Sequence, residues 1–256
     1  MHKRGKIRVG RLTTQGKLKS KPTLSGYTEV MVMTPSSKYG KLGPYVLKND
    51  QGVLMENLWQ FSKVWESVPN VKTPYSQWDR RIIWDHDSEV HVDKKKEPND
   101  AYWAWRAKGM SNKDAVRYPA GYAKRRETLY SLKDKNSNWR MTYIEARKEI
   151  YLPVYIDLVK GEKQFAELQK RLNEGENLLI VEIDGPHQES LDYYKKKYKV
   201  SDSFIENDTM LATRENLKIM LEDDKYSFGH GYCLAAALEG FDLTEKDRTE
   251  KKIKLE

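Results

Sequence analysis

Glu56, Gln60 and Lys63 fall at i, i+4 and i+7 within residues 52–65. On a helix a carboxylate, an amide and an amine at that spacing share one side, over an arc of roughly 60° at about 100° per residue. Trp59 borders the arc, while Leu54, Leu58, Phe61 and Trp65 form an apolar face opposite. Two outcomes fit. The polar arc is either a solvated face or the wall of a cleft edged by an indole. In a cleft, an amine beside apolar surface can lose its proton and become a nucleophile. A carboxyl group can move protons or steady developing positive charge, and an amide can orient hydroxyls or a base. Spacing leaves both open.

Other stretches carry chemistry-bearing types. Residues 35–44 join Ser36, Ser37, Lys38 and Lys41 to two glycines in a turn-rich loop whose backbone N–H groups could meet a phosphate; the spacing is not that of a P-loop. Glu182, Asp184 and His187 come at the end of the apolar run 178–183, a buried strand whose C-terminal end is where α/β sheets place ligands. The same trio could hold Mg²⁺ in a nuclease. Asp224 precedes Gly229 and Gly231, and glycines opening a helix allow either close ligand approach or tight packing. Residues 85–91 contain Asp85, His86, Asp87, Glu89 and His91, but the alternation of Glu89, Val90, His91 and Val92 reads as a strand with one wet side. No metal and no cofactor is expected.

The elements that must position these groups predict an α+β class: a single domain over residues 26–240, helices around a small sheet, with insertions at about 66–114 and 184–222. Strands are expected at 27–34 and 178–183. Helices are expected at 52–65, 139–159 (broken or kinked by Pro153), 165–172, 191–198, 214–221 and 232–238. Aromatics beside arginines at 103–106 and 118–126 suit stacking on a base or packing of the insertion. Of the net charge of +8, the whole excess sits in Lys3, Arg4, Lys6, Arg8, Arg11, Lys17, Lys19 and Lys21, the rest balancing at 38 basic against 38 acidic residues. Residues 1–25 therefore read as a basic flexible arm, able to hold nucleic acid through salt-sensitive phosphate contacts or simply to solubilise. Residues 241–256 read as a charged tail. No apolar run approaches the roughly 20 residues needed to span a bilayer, so no membrane is expected. The single cysteine, Cys233, fits a reducing, cytoplasmic setting.

In order, residues 42–47, the motif Glu56-Asn57-x-x-Gln60-x-x-Lys63, residues 115–126, the helix opened by Trp139, residues 165–172 and Asp224-x-x-x-Phe228-Gly229-x-Gly231 resemble the NADAR family, an N-glycosidase-like superfamily of riboflavin and ADP-ribose chemistry. Asn57 stands where the family has His, Phe228 where it has Trp, and the last motif carries one extra residue. The resemblance implies a NADAR-like fold and cleavage of a glycosidic C–N bond at a ribose anomeric carbon. The substrate would be a ribosyl phosphate, NAD or an ADP-ribosylated nucleic-acid base. It implies Lys63 as a Schiff-base nucleophile, with Glu56 and Asp224 also catalytic. Gln60, Asn57, Trp59 and Glu182 would bind the sugar or base, and Ser37, Lys38, Gly229 and Gly231 the phosphates. Two other functions fit the residues: a Mg²⁺-dependent nuclease built on Glu182, Asp184 and His187, and a non-catalytic nucleic-acid-binding module.

Overall fold

Leu178, Leu179, Ile180 and Val181 are apolar in succession, and an extended run of that kind has to be covered on both faces. The computed structural model describes residues 3–15, 18–32, 37–71, 84–116, 119 and 127–241. Residues 33–36 of the loop, the stretch 118–126 apart from Pro119, and the tail beyond Phe241 lie outside them. The strands are β1 (Ile7–Arg11), β2 (Thr13–Gln15), β3 (Leu18–Ser20), β4 (Tyr27–Met31), β5 (Lys63–Trp65), β6 (Ser67–Val68), β7 (Glu89–Val90), β8 (Thr128–Ser131), β9 (Asn177–Glu182) and β10 (Thr209–Leu211). The α-helices are α1 (Met55–Gln60), α2 (Asp100–Met110), α3 (Tyr143–Ala146), α4 (Leu152–Lys160), α5 (Lys163–Asn173), α6 (Leu191–Tyr198), α7 (Arg214–Glu222) and α8 (His230–Leu238). The α+β class holds. The single domain does not: the chain divides into a first unit of residues 1–43 and 152–256 and a second of residues 44–151.

In the first unit β9 is central to a sheet of order β10-β1-β9-β4, parallel to β1 and β4, with β10 antiparallel on β1. One face is covered by α8, whose alanines allow close approach and which packs in turn on α4, α5 and α7. On the other, Leu12, Leu179 and Val181 form a core with Leu24, Tyr27 and Met31. The flexible arm expected over residues 1–25 is corrected here. Ile7 and Val9 are buried in an interior strand, and four of the arm's cations pair with acids: Arg4 with Glu239, Arg8 with Glu206, Arg11 with Glu189 and Lys21 with Glu29. A basic segment whose arginines alternate with Ile and Val can bury one side and neutralise the other. Within the expected insertion at 184–222, β10 pairs with β1 and so joins the main sheet.

The second unit opens at Pro44, well before the expected insertion at 66, and so takes in α1. Its core gathers Phe61, Val64, Trp65, Trp84, Tyr102, Trp105 and Tyr130. Phe61 lies 4.6 Å from Trp105 and 5.3 Å from Trp84 between ring centroids. Asn99 caps α2 by accepting from the Tyr102 N–H, and Arg106 gives its donors to the carbonyls of Leu132 and Lys133 and to the Tyr102 hydroxyl. The 103–106 stretch is thus packing, not a stacking platform. A Cβ on Gly109 would lie 2.0 Å from Phe61 Cε1, and Phe61 is fully buried against Trp84 and Trp105. Gly109→Ala is expected to destabilise this unit by about 3 kcal/mol, overriding the roughly 1 kcal/mol that alanine gains in a helix. Urea unfolding followed by tryptophan fluorescence measures it, and a neutral or stabilised variant would refute the packing.

Pro153, in α4, does not break its helix. The backbone widens into a π turn at Arg147–Tyr151, just ahead of a ring that would otherwise press on the carbonyl four residues back.

Candidate active site

The helix expected over 52–65 ends early. Phe61 caps α1 (φ −87°, ψ 2°) with its N–H on the Asn57 carbonyl, and Lys63, Val64 and Trp65 turn into β5, antiparallel to β8. Val and Trp favour a pleated strand when a partner strand is at hand. The three polar groups nevertheless meet. Gln60 Nε2 donates to Glu56 Oε1 at 2.8 Å, and Lys63 Nζ donates to Gln60 Oε1 at 2.8 Å. Lys63 Nζ also lies 4.5 Å from the centroid of the Trp59 ring. Glu56, Trp59, Gln60 and Lys63 are all buried, at 4%, 8%, 5% and 6% exposure, which excludes the solvated face. The Gln60 amide is fixed at both ends, so its oxygen points at the amine.

Asn57 is corrected as a substrate contact. Its amide donates to the carbonyls of Asn112 and Asp114 and its oxygen accepts from the Val116 N–H. With its donors and acceptor committed to backbone, it anchors α1 to the chain that follows α2. Beyond Trp59, the helical segment 143–151 brings two rings to the indole: Tyr143 at 5.9 Å and Tyr151 at 5.0 Å between centroids. Between them in sequence, the Arg147 guanidinium lies 4.6 Å from the Tyr143 ring and is buried. A capping box between Thr142 and Glu145 starts this segment.

The first unit holds the other expected residues. Glu182 ends β9 and turns its carboxylate to the start of α8, where Oε2 accepts from Gly231 N at 2.8 Å and lies 3.1 Å from His230 Nδ1. A Cβ on Gly229 or Gly231 would stand 2.9 Å or 2.8 Å from the Glu182 side chain. These glycines serve close packing on Glu182, and the helix end they open already holds a carboxylate. Their expected phosphate role is corrected on that ground. In the loop, the Ser37 hydroxyl donates to the Met31 carbonyl and exposed Lys38 pairs with Glu167 at 2.8 Å. The Lys38 ammonium is held above its ordinary pKa by that carboxylate and by Tyr39.

Asp224 is exposed and paired with Lys197 at 2.7 Å. Its neighbour Asp223 is the buried carboxylate, accepting from the hydroxyls of Tyr193, Tyr194 and Tyr198 and from the Tyr226 N–H. Burial first, and then the Asp223 charge, push the Tyr198 phenol up to about 12, against a lowering contribution from Lys197. A phenol that keeps its proton longer in the folded state contributes stability below the unfolded pKa near 10 and loses it as pH rises toward 12. Tyr198→Phe is therefore expected to flatten the fall in melting temperature between pH 10 and about 12; an unchanged alkaline profile would count against this placement.

Of the nuclease trio, Glu182 is committed to α8, Asp184 is exposed, and His187 Nδ1 faces Glu189 Oε1 at 3.3 Å. Burial, and then Arg11, lower the His187 pKa. Its own backbone N–H and Arg11 hold Glu189 down to about 2. In residues 85–91, Glu89 Oε1 is shared by His91 Nε2 at 2.8 Å and His86 Nε2 at 3.3 Å. Among the described residues no group of three acidic, histidine or cysteine side chains could hold a metal ion, and no helix is long and apolar enough to cross a membrane.

Glu56, Gln60, Lys63 and Trp59 thus assemble in the second unit, whereas Asp224, Glu182, Gly229, Gly231, Ser37 and Lys38 belong to the first. Sequence reasoning missed Asp223 and Arg147. The three tyrosines of α6 were a signal for Asp223, and the period of four linking Tyr143, Arg147 and Tyr151 was one for Arg147. No protein-family model, curated protein or solved structure matches the chain.

Proposed function

We propose that the chain is a NADAR-like hydrolase of N-glycosidic bonds, cleaving a base from a ribosyl phosphate or an ADP-ribosyl group, with Lys63 as nucleophile. The observation that carries the proposal is the buried relay Glu56–Gln60–Lys63 under Trp59. Lys63 Nζ forms a bond to C1′ as the C1′–N bond breaks, and the electron pair leaves with the base, which takes a proton. The ring then opens: the C1′–O4′ pair goes to O4′, which takes the proton given up by Nζ, leaving a protonated Schiff base. Water adds to C1′, frees the amine and releases the sugar aldehyde.

Each residue of the wall has a part. Gln60 aims the amine by accepting one of its N–H bonds. Glu56 takes the proton that Lys63 must lose before attack and returns it to the leaving base. The Trp59 face favours positive charge close to it, and the protonated Schiff base carries its charge on the same nitrogen, so the ring stabilises the intermediate. Incubation with NAD, ribosyl-aminopyrimidine phosphates and ADP-ribosylated DNA, followed by borohydride reduction and peptide mass mapping, tests the proposal. A sugar adduct on Lys63 is expected from at least one substrate. Release of the base with no adduct, or an adduct on another lysine, would overturn the nucleophile; no base released from any of the three would overturn the reaction.

A further inference from the structure

We infer that His86, Glu89 and His91 form a proton-operated latch on the aromatic core of the second unit, closed while His91 is neutral and released when it takes up a proton. The wet side expected for residues 89–92 is inverted. Val90 is 59% exposed, whereas His91 is fully buried. Its ring lies 4.9 Å from Trp105 and 5.8 Å from Tyr102 between centroids, a place that an apolar side chain could fill without needing any partner. The backbone around it ties three elements together. His91 N donates to the Glu66 carbonyl, between β5 and β6, and the His91 carbonyl accepts from Asn99, the cap of α2. One residue earlier, Val90 pairs with Ser67 to join β7 to β6.

The hydrogen-bond partners fix where the protons are. His91 Nε2 lies 2.8 Å from Glu89 Oε1, while its buried Nδ1 has no hydrogen-bond partner among the described residues. An ionised carboxylate only accepts, so Nε2 carries the proton, Nδ1 keeps a bare lone pair, and the ring is neutral. His86 faces acceptors on both sides: the Asp87 carbonyl 2.7 Å from Nδ1 and Glu89 Oε1 3.3 Å from Nε2. Only its cation can make both contacts. One carboxylate oxygen thus holds a charged ring outside and a neutral ring inside. A proton added to His91 Nδ1 would bury an N–H with no acceptor against the rings of α2. Burial above all, and the His86 charge, lower the His91 pKa, against the raising effect of Glu89. The other charges nearby are engaged elsewhere. On α2, Arg106 gives its donors to the Tyr102 hydroxyl and two carbonyls, and Lys108 lies over the Trp84 ring on which His86 stacks. On the strand side Glu66 pairs with Lys96. A ring that binds its proton more weakly when closed keeps the latch shut above the ordinary value near 6.5 and loosens it as pH falls below.

Hydrogen exchange read by mass spectrometry on the full chain, from about pH 7.5 to about pH 5 and corrected for the intrinsic effect of pH on exchange, tests the latch. Peptides covering β7 and α2 are expected to open up to about tenfold more for each pH unit below the ordinary histidine value, while peptides of β9 and α8 stay protected. His91→Gln, whose amide can still donate to Glu89 but cannot titrate, should flatten the profile. His86→Gln removes a charge that discourages the second proton and should move the opening to higher pH. Long-range proton–nitrogen NMR correlations of the wild-type imidazoles, which depend on no variant folding, should show His91 protonated at Nε2 alone at about pH 7.5. A flat wild-type profile, equal loosening of β9 and α8, or a slope that survives His91→Gln overturns the latch. So does His91 found at that pH as a cation or with its proton on Nδ1. A profile unmoved by His86→Gln overturns the part given to His86.

Discussion

Replacing Lys63 by methionine is expected to lower the rate of base release by about 10³-fold or more and to remove the borohydride adduct, while the protein stays folded. The magnitude follows from the mechanism: without the amine no covalent intermediate forms, and only binding and electrostatic assistance to water remain. Methionine is the informative replacement. Lys63 is buried, and a thioether of similar length can occupy the space beneath Trp59 with a favourable sulfur–aromatic contact. The replacement gives up the bond that Gln60 Oε1 accepts, worth about 1 kcal/mol, and the cation over the Trp59 ring. Glu56→Gln should act differently. It leaves an amine and an amide chain in place but removes the proton carrier, so a decrease of about 10²-fold is expected, with the adduct on Lys63 still detectable. If Lys63→Met keeps most of the activity while Glu56→Gln loses it, Lys63 is a binding residue and water is the nucleophile.

The parts of this fold legible in the sequence are those where one period rules. Leu178 to Val181 read as a covered strand, because an apolar run that short has no polar side to show water; β9 is that strand, but it ends at Glu182 and leaves Ile183 exposed. Phe165, Leu168 and Leu172 fixed α5 by the same logic, as all three are buried. The polar stripe from Glu56 to Lys63 was legible as a set of residues that meet, yet not as an element. The helix stops at Gln60, and Lys63 reaches back from the next strand. What decided that stop was pairing with β8, some 65 residues further on, and no local pattern contains a distant partner. The arm failed for a related reason. Eight cations without an acid read as solvated, whereas the partners Glu189, Glu206 and Glu239 lie far along the chain. A carboxylate's neighbour is equally invisible to spacing. Asp223 and Asp224 are adjacent and chemically identical, and only the direction in which the backbone turns buries the first and exposes the second.

That distinction sets the largest expected loss of stability. Asp223→Ala should destabilise the first unit by about 3–5 kcal/mol, whereas Asp224→Ala, which removes one exposed ion pair, should cost less than about 1 kcal/mol. Asp223 is fully buried and accepts from the Tyr198 hydroxyl at 3.1 Å, the Tyr194 hydroxyl at 3.4 Å and the Tyr226 N–H at 2.8 Å, besides Tyr193; Lys197 Nζ stands 3.4 Å away. Removing the carboxylate strands those donors where water does not easily reach them, and each stranded group costs about 1–3 kcal/mol. The stacked rings of Tyr194, Tyr198 and Tyr226, at 5.9 Å and 5.7 Å, then lose the anion around which they converge. Asp223→Asn separates charge from shape. Its oxygen can still accept, but its amide presents two donors to a ring of donors, so a loss between those of the alanine pair is expected. Urea unfolding of the four proteins side by side gives the order. Equal losses at 223 and 224 would mean that the tyrosines, not the carboxylate they surround, hold α6 against the end of α7.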